Sequence, residues 1–168
     1  VEGQDLIAPS GEPYGDLEFI DFNIGDMTEK EITLYFADSQ AMYVVPEKRT
    51  IFVIKDISDA EFYKIVLEEL IKGPNTENLY RTIPEGVRVE YTEVEGDLLK
   101  VDFSREMHTN HWGGAAGESM TINSIVNSLT EFEDINRVMT TVDGGAMSIE
   151  HMVVEEPLTR NEDIIYKQ

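Results

Sequence analysis

Across residues 58–142 the apolar positions switch between a helical period of ~3.6 and a strand period of ~2, in the order α-β-β-α-β. Few architectures satisfy that order. Ser58, with Glu61 three residues on, makes a capping box, whose side chains satisfy amides left without partners in a first helical turn. Phe62, Ile65, Val66 and Leu70 then recur at helical spacing, and Gly73-Pro74 ends the helix. Val87, Val89 and Tyr91 alternate with polar residues, Glu95-Gly96-Asp97 supplies a turn, and Leu99, Val101 and Phe103 return as a hairpin partner. After a loop over residues 104–117, Ile122, Ile125, Val126 and Leu129 mark a second helix, and Val138, Thr140 and Val142 a strand that stops at Asp143-Gly144-Gly145. The economical solution is an α+β domain with an αββαβ core, two helices covering one face of a small mixed sheet. The other face meets solvent or flanking strands. A parallel step through the second helix is expected to be right-handed.

Flanking strands are legible on both sides. Ile32-Thr33-Leu34-Tyr35-Phe36 is rich in strand formers, Met42-Tyr43-Val44-Val45 is expected to stop at Pro46, and Thr50-Ile51-Phe52-Val53 resumes an extended pattern. A single short strand is expected over 149–154, before Pro157. Residues 1–30 read as an acidic leader, partly ordered or flexible, because Pro9, Gly11, Pro13 and Gly15 break any sustained period. Within it Leu17, Phe19, Ile20, Phe22 and Ile24 could pair as an edge strand. The body is one domain over 31–165, which suits a chain of 168 residues.

The balance of 34 acidic against 13 basic side chains, a formal charge of −21, works against nucleic acids and anionic headgroups, whose binders need Lys and Arg. It suits metal cations or a basic partner patch. Cysteine is absent, which removes disulfides, thiol catalysis and thiolate metal sites. No apolar run is long enough to span a bilayer.

No catalytic set is legible. Ser104, Ser119 and Ser128 lie in no nucleophile-elbow sequence, and Asp102 alternates with apolar neighbours, which suits a hydrogen bond to a turn better than proton transfer. His108 and His111, with Glu106 and Glu118 nearby, have ligand-type side chains, but Asn110 and Gly113-Gly114 argue against the rigid helix that i, i+3 chelation needs. His151 is distant in sequence and is assigned no role. The expectation is therefore no metal, no cofactor, and folding that does not depend on an ion. Gly114-Ala115-Ala116-Gly117 has the GXXG form of a backbone clamp, yet no Lys completes a phosphate site and Glu118 follows, so it reads as a loop-to-helix entry. Asp21, Asn23 and Gly25 begin a calcium-loop pattern that fails at Asp26 and Ile32. Trp112, the only tryptophan, has two readings: a core residue pinning its loop with His111 exposed, or, together with His111, a partner contact. Core packing is the expected one.

Several short segments resemble the GerMN domain family of bacterial sporulation and germination proteins: Glu69-Leu70-Ile71-Lys72-Gly73-Pro74, Ile83-Pro84-Glu85-Gly86, Val101-Asp102-Phe103-Ser104, Ile125-Val126-Asn127-Ser128-Leu129-Thr130-Glu131-Phe132, Val142-Asp143-Gly144 and Pro157-Leu158-Thr159-Arg160-Asn161. They occur in order over about residues 31–165. The family often has Thr where this chain has Ser128, and the leader and the 108–112 segment lie outside the pattern. The resemblance implies a non-catalytic, extracytoplasmic binding or assembly domain, similar to ring-building motifs, with protein partners of the cell envelope or copies of itself. It further implies an export signal upstream and a membrane tether, possible through a lipid. A module for cell-wall glycan or peptide is the alternative, and a metal-assisted hydrolase a weaker one.

Overall fold

A computed structural model describes residues 26–168. The Leu17-to-Ile24 apolar positions and the Asp21, Asn23, Gly25 triplet lie outside the described residues. β1 (Met27–Ala37) and β2 (Val44–Ile54) pair antiparallel, from Met27 opposite Ile54 to Ala37 opposite Val44. β1 thus begins inside the segment read as leader. β2 also runs straight through Pro46 instead of stopping there. Pro46 faces Tyr35, whose backbone N–H and C=O bond to side chains of a helix on the opposite side, so this pair carries no ladder bond for proline to remove.

Helix α1 (Asp59–Lys72) starts at Ser58, whose Oγ accepts the Glu61 N–H at 3.3 Å. The Glu61 carboxylate returns to the Ser58 hydroxyl, 3.1 Å away. At the other end Gly73 adopts φ 90°, where a side chain would be strained. The buried face is Tyr63, Val66, Leu67 and Leu70, turned from the expected stripe so that Phe62 and Ile65 lie half-buried at its edge.

β3 (Val89–Glu95) and β4 (Leu98–Phe103) form the expected hairpin, with a register shift between Val89 and Tyr91. That irregularity turns Tyr91 outward, where alternation had placed it with Val89. A short helix, α2 (Glu106–Thr109), occupies what the sequence suggested was loop, anchored by fully buried Met107. Helix α3 (Ala115–Leu129) then crosses back, and β5 (Arg137–Val142) lies parallel to β4, Leu98 opposite Arg137 and Phe103 opposite Val142. The expected last strand is instead a hairpin of β6 (Gly145–Ile149) and β7 (Met152–Val154), turning at Glu150-His151. β6 and β8 (Leu158–Thr159) share the far edge of β5.

The mixed sheet buries alternate residues of β4 and β5: Leu99, Val101 and Phe103, with Val138, Thr140 and Val142. Both long helices pack on that face, and the domain is α+β with an αββαβ core as the periodicity required. Unlike α1, α3 is buried nearly all round, because the β1–β2 ribbon covers its second side. Its polar residues there are consumed by backbone. Ser128 accepts the Tyr35 N–H at 3.0 Å, and Ser124 donates to the Tyr35 carbonyl at 2.8 Å. One turn around, the Asn127 amide clamps Asn161 through both its oxygen and its nitrogen, each at 2.9 Å.

A buried ion pair ties the ribbon to α1. Arg49 reaches Glu47 at 2.6 Å and donates to the carbonyls of Glu69 and Gly73, both at 2.9 Å, where α1 leaves acceptors free. Burial would raise the Glu47 pKa, but bonds from Thr76, Arg49 and Asn75 outweigh it and hold the carboxyl below its usual range. A folded value below the unfolded one contributes stability that is complete above about pH 4.3 and is lost as pH falls toward the lowered value. Urea melts of Glu47→Gln should therefore show a loss of roughly 3 kcal/mol at pH 7, as for one partner removed from a buried pair. The gap from the native chain should narrow as the medium is acidified below that range.

Candidate functional site

The β6–β7 turn and the entry to α3 meet at one place, and the chain's three histidines and its single tryptophan gather there. His108, on α2, accepts the Ser148 N–H of β6 at 3.0 Å. His111 accepts the Gly113 N–H at Nδ1, 2.9 Å away, and its Nε2 lies 2.8 Å from the Thr121 hydroxyl. Because that hydroxyl donates to the Thr82 carbonyl at 2.6 Å, Nε2 must carry the proton and His111 is neutral. His151, at the hairpin turn, lies 3.3 Å from Glu118 and 3.8 Å from Glu150. A shallow cleft of about 340 Å³ separates His108 and Ser148 from Trp112 and Glu150.

Glycines make this approach possible. A Cβ on Gly113 would stand 2.7 Å from the Glu150 carboxylate, and one on Gly117 would stand 2.4 Å from the indole nitrogen of Trp112. Gly117 therefore serves as a seat for the indole; the GXXG pattern is a packing device at a helix entry.

Trp112 reverses the expected arrangement. It is 52% exposed, while His111 is the half-buried residue. The two rings stack with centroids 4.8 Å apart. The bond between His111 and Thr121 pins the loop without help from the indole. His108 and His111 do not converge with Glu106, which faces Arg88. His151, given no role from sequence, is the residue that joins Glu118. A strand over 149–154 placed it mid-strand, and only the hairpin turn brings it to α3. Asp102 behaves as expected of a turn anchor, accepting from Thr141 at 2.7 Å and from the Gly144 N–H at 2.9 Å.

A second, larger cleft of about 600 Å³ lies between the base of the ribbon and α1. Its floor is the edge-to-face cluster of Phe62, Tyr63 and Phe132, with centroids 5.3–5.5 Å apart, and Asp56, Asp59 and Asp134 stand around it.

Residues 33–148, more than half of the chain, match the family model Germane, described as sporulation and spore germination. The chain belongs to this family. Its fold is similar to the tandem GerMN domains of the sporulation protein GerM from Bacillus subtilis, with a TM-score of 0.64 at 20% identity, covering 97% of this chain and 60% of that one. It is also similar to the first GerMN domain of the same protein, with a TM-score of 0.57 at 18% identity over 78% of this chain and 98% of that one. A candidate lipoprotein from Clostridium perfringens matches with a TM-score of 0.55 at 21% identity, over 78% and 87% of the two chains. A search of curated proteins finds no match. At such identities the solved structures establish a shared fold. The chain spans 60% of the length of the tandem GerM structure.

In this Germane domain His111 offers a direct check of the geometry. Burial lowers its pKa, and the pull of Glu118 and Glu150 in the opposite direction does not restore it. Protonation therefore opposes folding: the contribution of His111 is complete above about pH 6.5 and is lost as pH falls toward the lower folded value. Nitrogen NMR should find His111 as the Nε2-protonated neutral ring, still mostly neutral at pH 6.5. A half-protonated ring at that pH would mean that the imidazole is not seated against Thr121.

Proposed function

We propose that this domain is a non-catalytic binding and assembly module that works outside the cytoplasm, in envelope complexes of bacterial sporulation or germination. Its family and its likeness to GerM and to a candidate lipoprotein support the setting. Among the described residues no helix is long and apolar enough to cross a membrane.

The observation that carries the binding role is Trp112. A large apolar ring, half exposed, stacks on the His111 ring and sets its indole nitrogen close against Gly117. Holding the ring before a partner arrives removes part of the ordering cost of association, and tryptophan is prominent among interface residues that dominate affinity. The partner is a protein of the cell envelope or a second copy of the domain. Against a catalytic reading, the Ser104 hydroxyl accepts the Arg88 N–H and Ser119 bonds Asn123, so these serines are engaged in local structure and not with a histidine.

The aromatic cleft at Phe62 and Phe132 favours a second reading, a cell-wall peptide or glycan ligand, since carboxylates together with Lys30 and Lys55 around an apolar floor suit a peptide or sugar-like group. One variant separates the two. Trp112→Ala should leave the melting temperature within a degree or two, yet weaken capture of envelope proteins, or self-association in sedimentation, by roughly 2 kcal/mol. A drop in stability of ~3 kcal/mol or more would return Trp112 to the core. Unchanged association would move the interface to the aromatic cleft.

A further inference from the structure

Two carboxylates in the described residues are almost wholly buried, and they are treated differently. Glu47 has Arg49 against it. Glu118 is 2% exposed, and among the described residues no Lys or Arg reaches it. Residues 1–25 contain no Lys, Arg or His to supply one. Taking a carboxylate out of water costs several kcal/mol. Its place in the first turn of α3 returns about 0.3–1 kcal/mol through the helix dipole, up to ~2 in the best geometry, which leaves most of that cost standing. Beyond the N–H bond that Glu118 accepts from His151, a bound cation would offset the remaining cost.

We propose that Glu118, Glu150 and His151 form a binding site for one divalent transition metal, with zinc as its best-matched ion. Their ligand atoms lie within 4.8 Å of one another. Glu118 and Glu150 oxygens stand 3.3 and 3.8 Å from His151 Nδ1, close to the ~3.4 Å edge of a tetrahedron with bonds of 2.0–2.2 Å to the metal. Two oxygens and an imidazole nitrogen are a donor set zinc accepts, with a fourth position left for another ligand. Each carboxylate is already aimed. Glu118 accepts the His151 N–H at 2.8 Å, and Glu150 accepts the Gly114 N–H at 2.6 Å, the kind of outer bonds that orient ligands. The side chains of His151 and Glu150 are 70% and 52% exposed, so the ion enters from solvent while Glu118 forms the buried floor. His108 and His111 are occupied by Ser148, Gly113 and Thr121 and stay outside the set. The site is independent of any partner at Trp112. The apolar core is complete without it, so the ion adds to a finished fold.

The test is calorimetric titration of zinc chloride into the full chain after removal of bound metal with a chelator, alongside His151→Ala and Glu150→Gln. Both substitutions are at exposed side chains, and the metal-free melting temperature of each variant separates any cost to the fold from loss of the ion. The native chain should bind one zinc per molecule and melt at a higher temperature when zinc is present. Each variant should lose at least tenfold in affinity together with that rise. Absence of a saturable single site would overturn the proposal and leave Glu118 with its contacts to His151 alone. Binding that persists in both variants would overturn it equally, as condensation of zinc on a strongly acidic surface.

Discussion

The backbone of Tyr35 can be satisfied in only one way in this fold, and much of the rest follows from it. Among the described residues β1 has a single strand partner, and on its other side the N–H and C=O of Tyr35 face the body of the protein, where leaving either unpaired costs about 1–3 kcal/mol. Ser128 and Ser124, one helical turn apart on α3, supply the acceptor and the donor. An apolar residue at either position would have packed well and left β1 unanchored. The same face of α3 uses Asn127 to hold Asn161, so one helix fixes both the opening ribbon and the closing tail. Arg160 completes the tie, donating to the Asn127 carbonyl at 3.0 Å and to the Tyr35 hydroxyl at 2.8 Å.

Fixing α3 in this way also positions its N-terminal end. The helix reaches out beside the β6–β7 turn, where Gly113 lets Glu150 approach closely and Gly117, in the first turn of α3, does the same for Trp112. A buried carboxylate, a stacked indole and a histidine turn thus share one rim, the carboxylates of Glu118 and Glu150 held by backbone amides of the facing segment. The function proposed for the domain rests on the indole of that rim, and the carboxylates and histidine beside it make up the proposed metal site.

Where physical signals are local, the fold could be read from the residues. The Ser58 cap, the Gly73 stop, the Gly96 turn and the two helical stripes each depend on neighbours within a few positions. Long-range effects hid the remainder. Pro46 looked like a strand end because its missing N–H matters only if that side of the pair is bonded, and this depends on α3. Tyr91 left its face because of a bulge that alternation does not announce. Nothing local to Glu47 and Arg49 shows that they meet the end of α1. At the site, His108 and His111 drew attention through their spacing, yet both are occupied by backbone and hydroxyl groups. His151, remote from them in sequence, sits at the turn that the 149–154 pattern concealed.

The central claim is that α3 anchors β1 through the Tyr35 peptide groups, and native-state hydrogen exchange at the Tyr35 amide tests it most directly. In the native chain this amide should exchange only through global unfolding, as slowly as the central amides of α3. In Ser128→Ala it should become one of the fast positions of β1, while protection in β4 and β5 falls only as far as the global stability does. A Tyr35 amide that exchanges quickly in the native chain, or that stays equally protected after Ser128→Ala, would contradict the account.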